Sequence, residues 1–339
     1  MSNFTGLDLE TYGDLQEYAL QAYRATRGQA GIRAISVANS TQALGILNPD
    51  TTKLTNILKS LKGKYVVCWN TTFDVSWLYA VGIDATIIDD IKWLDAMLMW
   101  MHMVREPEAD KGPRKSYSLK AAMLEYFPND ADFKDFEDFQ TTTTEGLKQL
   151  LHRNKEDARF TAKLADMFWS QLSEKQRQAV LIEARCIPLV ALTYNRGIRI
   201  DSDALSALRV KLESEGAAAY ADLKAHYPEI DQINLGSPKQ VGELLFNIWG
   251  LHPPKITAKG ANSTDKFALH ALAETYPQAR LLRDYRESQY NLAKYVTATE
   301  ASVEYNGDGF VRPQAKIFGT YTGRMTYYSK QKGSPKKKT

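Results

Sequence analysis

The chain has 339 residues, of which 44% are hydrophobic and 24% are charged, and this composition predicts a globular protein large enough for two or three domains. Its two cysteines, Cys68 and Cys186, lie in apolar contexts, which excludes a disulfide framework or zinc ligand set and favours a reducing, cytoplasmic setting. No apolar run reaches membrane-spanning length and no signal peptide opens the chain, so we expect no membrane association.

Positive charge is concentrated at the end of the chain. The formal net charge is +3, yet from residue 300 onward eight Lys or Arg stand against three acids. This basic tail, which ends in SPKKKT, favours contact with phosphates. A solvated terminus without a partner is the alternative.

The first third of the chain alternates strand-like and helix-like segments. Helices are expected over 54–61, 73–82 and 91–104, where apolar residues recur at helical spacing. We expect one sheet with helices packed against it, an α/β arrangement. Strands are predicted at residues 3–10, 32–38, 43–47, 64–70 and 85–89.

The middle of the chain becomes mostly helical from about Ser173 to Tyr305. Within this region Ser237-Pro238 predicts a helix start with Lys239 in its first turn, because proline suits the first helical position. The sequence Asn-Gly-Asp-Gly at 306–309 predicts a turn between two short strands.

Two acids lie close together near the start of the chain, in GLDLETYG. On a strand, Asp8 and Glu10 project from one face while Leu7 and Leu9 project from the other. At roughly 6 to 7 Å and an effective dielectric constant of about 20, the repulsion of the two carboxylates costs about 2 to 3 kcal/mol. A cation, a proton or a hydrogen-bonding partner must offset this cost.

Two further carboxylates lie in contexts that could bring them to the same place. Asp74 falls one turn into a helix that Asn70 can cap, and Phe73 can pack on Trp77 four residues later. Asp157 is predicted to begin a helix with an apolar stripe, and it can therefore face the edge of the sheet.

Taken together, these acids resemble the three motifs of the DEDD superfamily of 3′-5′ exonucleases. The matching sets are Asp8-x-Glu10, then Asn70-x-x-Phe73-Asp74, then Asp157. The resemblance implies an RNase H-like mixed sheet flanked by helices and the removal of nucleotides from 3′ ends with two divalent cations. It also implies that Asp8, Glu10 and Asp157 bind the metals, with Asp74 supporting them directly or through water. Oxygen-only ligands favour Mg²⁺ or Mn²⁺.

The general base is where the chain departs from this resemblance. Related proofreading domains have a tyrosine four residues before the last aspartate, where this chain has Arg153. His152 has the spacing of the histidine subtype, and an imidazole is a suitable proton acceptor. Five helical residues separate two side chains by about 140°, so this assignment requires a turn or a distorted helix start at His152. An exposed histidine without a catalytic role is the alternative.

The rest of the chain resembles the family A DNA polymerases, its phage members above all. Residues 182–208 are similar to the segment that opens the polymerase region, 234–246 and 281–296 to the thumb, and 319–325 to the first palm motif. The resemblance implies that Lys239 and Arg324 contact the DNA backbone. Ordinary solvated side chains are the alternative for both.

The predicted organisation has three parts. Residues 1–173 form a 3′-5′ exonuclease domain, 174–300 a helical thumb-like domain, and 301–339 an incomplete, β-containing start of the palm with the basic tail. The fingers and the catalytic palm motifs are absent, so the chain alone is not expected to polymerise DNA. A second chain could supply those parts of a split enzyme, or the polymerase is truncated.

The expected function is DNA proofreading, as a hydrolase in phage DNA replication in the host cytoplasm. Its partners would be a single-stranded 3′ end, contacted by Asn70 and Phe73, and a primer-template duplex. Two alternatives stay open. The chain could be a DNA-binding subunit with weak or no catalysis that completes a partner polymerase, or it could be an RNA exonuclease of the ribonuclease D kind.

Overall fold

The computed structural model describes residues 4–104, 116–130, 142–258, 260–320 and 322–328. The last part of the predicted basic tail, residues 329–339, lies outside these ranges. The chain divides into two compact units, one of Met1–Gly197 with Arg312–Thr339 and one of Ile198–Val311.

A five-stranded mixed sheet forms the centre of the first unit. Its spatial order is β3-β2-β1-β4-β5. β2 runs antiparallel to β1 and β3, whereas β4 and β5 follow the direction of β1. This is the RNase H-like sheet that the sequence predicts, and the fold class is confirmed. The strands are β1 (Thr5–Gly13), β2 (Ala30–Ala38), β3 (Ala43–Leu47), β4 (Tyr65–Cys68) and β5 (Lys92–Asp95).

Helices flank this sheet. The tryptophan rings of Trp77 and Trp100 are fully buried among them, and Trp100 stacks on Phe168 with ring centroids 6.2 Å apart. The helices are α1 (Thr51–Ser60), α2 (Thr71–Ala80), α3 (Ala85–Asp89), α4 (Ala96–Val104), α5 (Leu119–Tyr126), α6 (Thr144–Gln171), α7 (Glu174–Ala184) and α8 (Ile187–Arg196).

One predicted strand is wrong. Residues 85–89 form helix α3, and β5 occupies residues that the sequence assigns to the start of a helix. The Asp84 carboxylate accepts the backbone N–H of Thr86 at 2.8 Å, and this cap favours a helical turn despite the β-branched isoleucines. Trp93 and Leu94 are buried in β5, so burial rather than local propensity selects the strand.

Helix α6 lies against β1 at a point where β1 has no side chain. A Cβ atom on Gly6 would lie 2.0 Å from the carbonyl oxygen of Ala158. On β3, a Cβ atom on Gly45 would lie 2.9 Å from Cδ1 of Leu151, also on α6. The two glycines therefore allow α6 to lie directly on the sheet.

The second unit is mostly helical, as predicted, with a core that includes Leu223, Leu244 and Leu282. Two π-helical turns, Glu243–Ile248 and Leu292–Thr297, interrupt its helices. A short strand pair joins its two ends. The elements are β6 (Ile198–Arg199), α9 (Ser202–His226), α10 (Pro238–Gly242), α11 (Lys266–Thr275), α12 (Pro277–Asn291), α13 (Ala298–Asn306) and β7 (Phe310–Val311).

Of two predictions for the second unit, the helix start at Ser237-Pro238 is confirmed and the turn between two strands at residues 306–309 is wrong. The helix predicted after Ser237-Pro238 is present, and the Ser237 side chain accepts the N–H of Gln240. The Asn-Gly-Asp-Gly segment does not join two strands, because helix α13 precedes it and Gly307, with φ of 70°, ends that helix.

After β7 the chain returns to the first unit as a hairpin of β8 (Gln314–Lys316) and β9 (Thr326–Tyr328). Phe318, in the connection, is buried and stacks on His102 with ring centroids 4.4 Å apart. Helices α7 and α8 pack into the same core through Val180 and Ile187. The two units therefore have different bounds from the three predicted parts, which divide at residues 173 and 300. None of the helices in the described ranges is long and apolar enough to cross a membrane.

Replacement of Gly6 by alanine tests the contact between α6 and β1. Because the added methyl group would meet backbone rather than a movable side chain, we expect Gly6→Ala to lower the free energy of unfolding by about 3 kcal/mol or more. Urea unfolding followed by tryptophan fluorescence measures this loss, since five of the six tryptophans lie in the first unit.

Gly242→Ala is the matched control. Gly242 has helical φ and ψ of −62° and −43°, and the nearest atom to an added Cβ lies at 3.7 Å. We expect this change to be neutral or slightly stabilising. Equal unfolding midpoints for Gly6→Ala and the parent would contradict the close approach of α6.

Candidate metal centre

Three carboxylates meet where α6 crosses β1. Asp8 and Glu10 project from one face of β1, and Asp157 projects from α6; one oxygen of each lies within 4.8 Å of the others. Asp157 is buried, while Asp8 and Glu10 are half-buried. The donor set is made of oxygen alone and converges from two elements, which fits a hard divalent cation such as Mg²⁺ or Mn²⁺.

Asp157 lies in the middle of α6 and not at its start. The helix begins at Thr144, 13 residues before Asp157, where the sequence predicts its start. It is capped there by the Thr143 hydroxyl, which accepts the N–H of Gly146 at 3.0 Å. The predicted apolar stripe of Phe160, Leu164 and Phe168 is buried in the core. A mid-helix position gives Asp157 a rigid backbone on which to present its carboxylate.

Asp74 is next to this cluster but not a member of it. The side chain is buried on α2, and its Oδ1 accepts the backbone N–H of Leu9 at 3.2 Å, between the two acids of β1. Burial raises the pKa of Asp74 well above its ordinary value, and the charge of Asp95 acts in the same direction. The structure therefore brings Asp74 to the strand that carries Asp8 and Glu10.

The thiol of Cys68, the last residue of β4, is fully buried near these carboxylates. Burial raises the pKa of the Cys68 thiol well above its ordinary value, and the nearby charges of Asp74, Asp8 and Asp95 act in the same direction. Within the described part of the chain, the group of possible metal ligands consists of three carboxylates, without this thiol.

Asp95 is a residue that the sequence analysis missed. Its buried carboxylate accepts the backbone N–H groups of Asn70 (3.2 Å) and Thr71 (2.9 Å) at the start of α2. It also accepts those of Met97 (2.9 Å) and Leu98 (3.4 Å) at the start of α4. Burial raises the pKa of Asp95 to about 6, and the four donors oppose that shift. An acid at the end of a buried strand, directly before a helical pattern, is the signal that could have revealed it.

Asn70 does not cap α2 with its side chain. It stands at the cap position with φ of 67° and ψ of 55°, and the cap is supplied by Asp95. The Asn70 side chain is exposed, and Phe73 is half-buried with its ring 6.1 Å from that of Trp77, as expected. Since Trp77 is fully buried, of these two rings Phe73 is the one available to a ligand.

A second missed residue is Asn154, on the turn of α6 before Asp157. Its Nδ2 donates to Oδ2 of Asp8 at 2.7 Å, and its Oδ1 accepts from the hydroxyl of Ser36 on β2. Both Asn154 and Ser36 are fully buried. The chain Ser36–Asn154–Asp8 orients one metal-ligand candidate, and a polar residue inside the buried face of α6 is the signal for it.

The His152 side chain does not lie in the position that a general base would need. Helix α6 runs without interruption through it, so the turn or distorted helix start that this role requires is absent. The side chain is exposed, and it points about 140° away from Asp157 around the helix. Arg153 is the neighbour that faces the cluster, with Nε 3.9 Å from Oδ2 of Asp157.

A cleft of about 830 Å³ opens beside Asn70 within the first unit. Asp95 and Lys316 lie on its wall. Aromatic rings form much of the remaining lining, which gives flat apolar surfaces in the same cleft as Asp95. These aromatic residues are Trp69, Tyr117, Phe318, Tyr327 and Tyr328.

The two basic residues predicted to contact DNA are both exposed. Lys239 lies in the first turn of α10 in the second unit. Arg324 follows Gly323, whose φ of 78° forms the turn of the β8–β9 hairpin, and the Arg324 carbonyl accepts the N–H of Gly319 at 2.9 Å. Gly323 is thus required by the turn, and the Arg324 side chain is directed to solvent.

Comparison with known proteins finds a family similarity in the later part of the chain. Residues 202–330 match the model of DNA polymerase family A. The chain is related to the family A DNA polymerases. The resemblance to family A DNA polymerases that the sequence predicts is therefore confirmed. The match lies in the second unit and the β8–β9 hairpin, outside the carboxylate cluster.

Individual relatives extend this similarity. The DNA polymerase of Bacillus phage SP01 is 25% identical over 317 residues, 77% of this chain and 33% of that protein. The DNA polymerase of Escherichia phage T5 is 29% identical over 182 residues, 50% of this chain and 21% of that protein. DNA polymerase I of Rhizobium leguminosarum is 30% identical over 194 residues, 53% of this chain and 18% of that protein. The chain thus spans one third or less of these curated relatives.

A solved structure shares the fold. The POL domain of Pol1 from M. smegmatis, in complex with a DNA primer-template and dNTP, superposes with a TM-score of 0.66 at 19% identity. The similarity covers 96% of this chain and 51% of that one.

Replacement of Asp95 by asparagine tests its role at the two helix starts. An amide can accept with one oxygen but would turn an NH₂ group toward a backbone N–H, so we expect Asp95→Asn to lower the free energy of unfolding by about 2 to 4 kcal/mol. Urea unfolding measures the change.

The exposed cap Asp50, which accepts the N–H of Lys53 at 2.7 Å, provides the control. Asparagine caps helices about as well as aspartate, so Asp50→Asn should change stability by less than about 0.5 kcal/mol. Equal effects of the two substitutions would argue against a shared buried cap at Asp95.

His152→Ala tests whether His152 acts as the general base. A general base contributes about 10²- to 10⁴-fold to a rate, whereas we expect this variant to keep the parent's rate of nucleotide release within about twofold. The pH–rate profile should also be unchanged. A rate loss of a hundredfold with a shifted profile would restore His152 as the base.

Proposed function

We propose that the chain is a metal-dependent 3′-5′ exonuclease that removes nucleotides from DNA 3′ ends, the proofreading and thumb part of a family A DNA polymerase. The observation that carries this proposal is the convergence of Asp8, Glu10 and Asp157 within 4.8 Å. Asp74 lies beside them and accepts a hydrogen bond from the backbone N–H of Leu9. Three carboxylates from a strand and a helix converge there, and their mutual repulsion would be relieved by a bound cation.

The metal site would be formed by Asp8, Glu10 and Asp157, with Asp74 in support. Two divalent cations, Mg²⁺ or Mn²⁺, would when bound activate a water and stabilise the leaving 3′ oxygen. Other residues of the chain hold these carboxylates in position. Asn154 holds Oδ2 of Asp8, and Asp95 fixes the start of the helix that carries Asp74. Arg153 is always protonated and cannot accept a proton from the attacking water.

The kinship with DNA polymerases and the shape of the first unit support DNA as the substrate. An aromatic cleft of about 830 Å³ beside Asn70 can receive unpaired bases, because stacking on aromatic rings accepts any base. Phe73 is available for the same purpose. Lys239 and Arg324, both exposed, would contact the phosphate backbone of a primer-template duplex.

Two alternatives make different predictions. A DNA-binding subunit with weak catalysis would bind DNA in a salt-dependent manner and release few nucleotides. A ribonuclease D-like enzyme would prefer RNA, which the kinship with DNA polymerases disfavours. A second chain that would supply fingers and palm is not supported by the comparisons with known proteins.

The test is nucleotide release from a 3′-labelled single-stranded DNA in Mg²⁺. Asp8→Asn and Asp157→Asn keep the shape of the side chain but remove its charge, so each should lower the rate by about 100-fold or more. Removal of divalent cations with EDTA should abolish release, and added Mg²⁺ or Mn²⁺ should restore it.

Glu145→Gln is the control on the same helix. Glu145 is exposed in the first turn of α6 and pairs with Lys148, so this substitution should leave the rate unchanged. An undiminished rate in Asp8→Asn would overturn the proposal. Faster release from an RNA of the same sequence would favour the ribonuclease, and DNA binding without release by the parent protein would favour the binding subunit.

A further inference from the structure

Arg153 lies beside the carboxylate cluster at the position where related proofreading domains have a tyrosine. It is one helical turn before Asp157, and its Nε lies 3.9 Å from Oδ2 of that aspartate. The Arg153 side chain is 28% exposed and that of Asp157 is 8% exposed. A guanidinium is therefore held against a buried metal-ligand candidate.

Negative charge is concentrated where α6 meets β1. Asp8, Glu10 and Asp157 place three carboxylates within 4.8 Å, and their repulsion opposes the packing of α6 on β1. Asn154 supplies a neutral donor to Asp8, but it adds no positive charge. Arg153 supplies a positive charge that persists at every physiological pH.

The same charge acts against a divalent cation. An ion bound by Asp157 would lie about 5 to 7 Å from the guanidinium, and even at the dielectric constant of water a +1 charge repels a +2 charge at that range enough to weaken binding about tenfold. Low exposure of Asp157 lowers the effective dielectric constant and increases the effect. A tyrosine at position 153 would exert no such repulsion.

We propose that Arg153 is an internal counter-ion of the metal site. It stabilises the carboxylates in the metal-free protein and weakens the binding of divalent cations, so that the site fills at a higher cation concentration than a neutral residue would allow. Arg153 is thus a positioning residue that sets metal affinity. This inference rests on the proposed function, because it assumes that Asp8, Glu10 and Asp157 bind the metal.

The experiment compares Mn²⁺ binding to the full chain and to Arg153→Gln by calorimetry, together with the melting temperature with and without Mn²⁺. We expect Arg153→Gln to bind Mn²⁺ about tenfold more tightly. Its metal-free form should melt at a lower temperature than the parent, and its melting temperature should rise more on addition of Mn²⁺. A residue with a purely structural role would lower stability without raising metal affinity.

Three further variants keep the result interpretable. Arg153→Lys preserves the charge and should keep the parent's Mn²⁺ affinity within about twofold. Arg153→Tyr provides a second neutral variant if the glutamine variant does not fold. Arg159→Gln removes the same charge from α6, but Arg159 pairs with Glu156 and lies over the ring of Phe160, so Mn²⁺ affinity should not change.

The outcomes separate this inference from the proposed function. If the parent binds Mn²⁺ at a site that Asp8→Asn removes, and both neutral variants bind it no more tightly, the counter-ion role is overturned while the metal site stands. If the parent shows no Mn²⁺ binding that Asp8→Asn removes, both proposals fail. If Arg153→Gln and Arg159→Gln both bind Mn²⁺ more tightly, the change in affinity follows from the lower net charge of the protein, and the specific role of Arg153 is overturned.

Discussion

The close contact between Gly6 and Ala158 is the constraint on which the carboxylate cluster depends. A strand residue with a side chain at position 6 would push α6 away from β1, since an added Cβ would lie 2.0 Å from a carbonyl oxygen. Asp157 is one residue from that contact along the helix, and Asp8 is two residues from it along the strand. The distance between the two acids is therefore set by backbone packing and not by their own interaction, which is repulsive without a cation.

Buried hydrogen bonds then hold the acids in place against that repulsion. Asn154 joins Asp8 to Ser36 on the next strand, and Asp74 receives the N–H of Leu9. Asp95 ties the starts of α2 and α4 to the end of β5 through four backbone N–H groups. These hydrogen bonds all lie inside the first unit, so the protein itself orients the carboxylates of Asp8, Asp74 and Asp95.

The sequence was sufficient to predict the mixed sheet, the helical second unit and the convergence of Asp8, Glu10 and Asp157, because strand alternation and motif order carry that information. It did not predict α3, where burial of Trp93 and Leu94 one turn later decides which segment becomes the strand. Asp95 and Asn154 were missed because their partners are backbone groups or residues distant in sequence. The spacing that made His152 a candidate base does not reveal whether a helix is continuous, and the unbroken α6 turns that side chain away from Asp157.

The uninterrupted course of α6 has a mechanical consequence. Arg153, Asn154 and Asp157 lie on a single 28-residue helix, about 42 Å long, and therefore move as parts of one rod. Asp8 and Glu10 lie on a strand that is paired on both sides. The site is thus divided between helix α6 and strand β1. A shift of α6 along β1 would change three things together: the spacing of the carboxylates, the position of Arg153 and the hydrogen bond from Asn154 to Asp8.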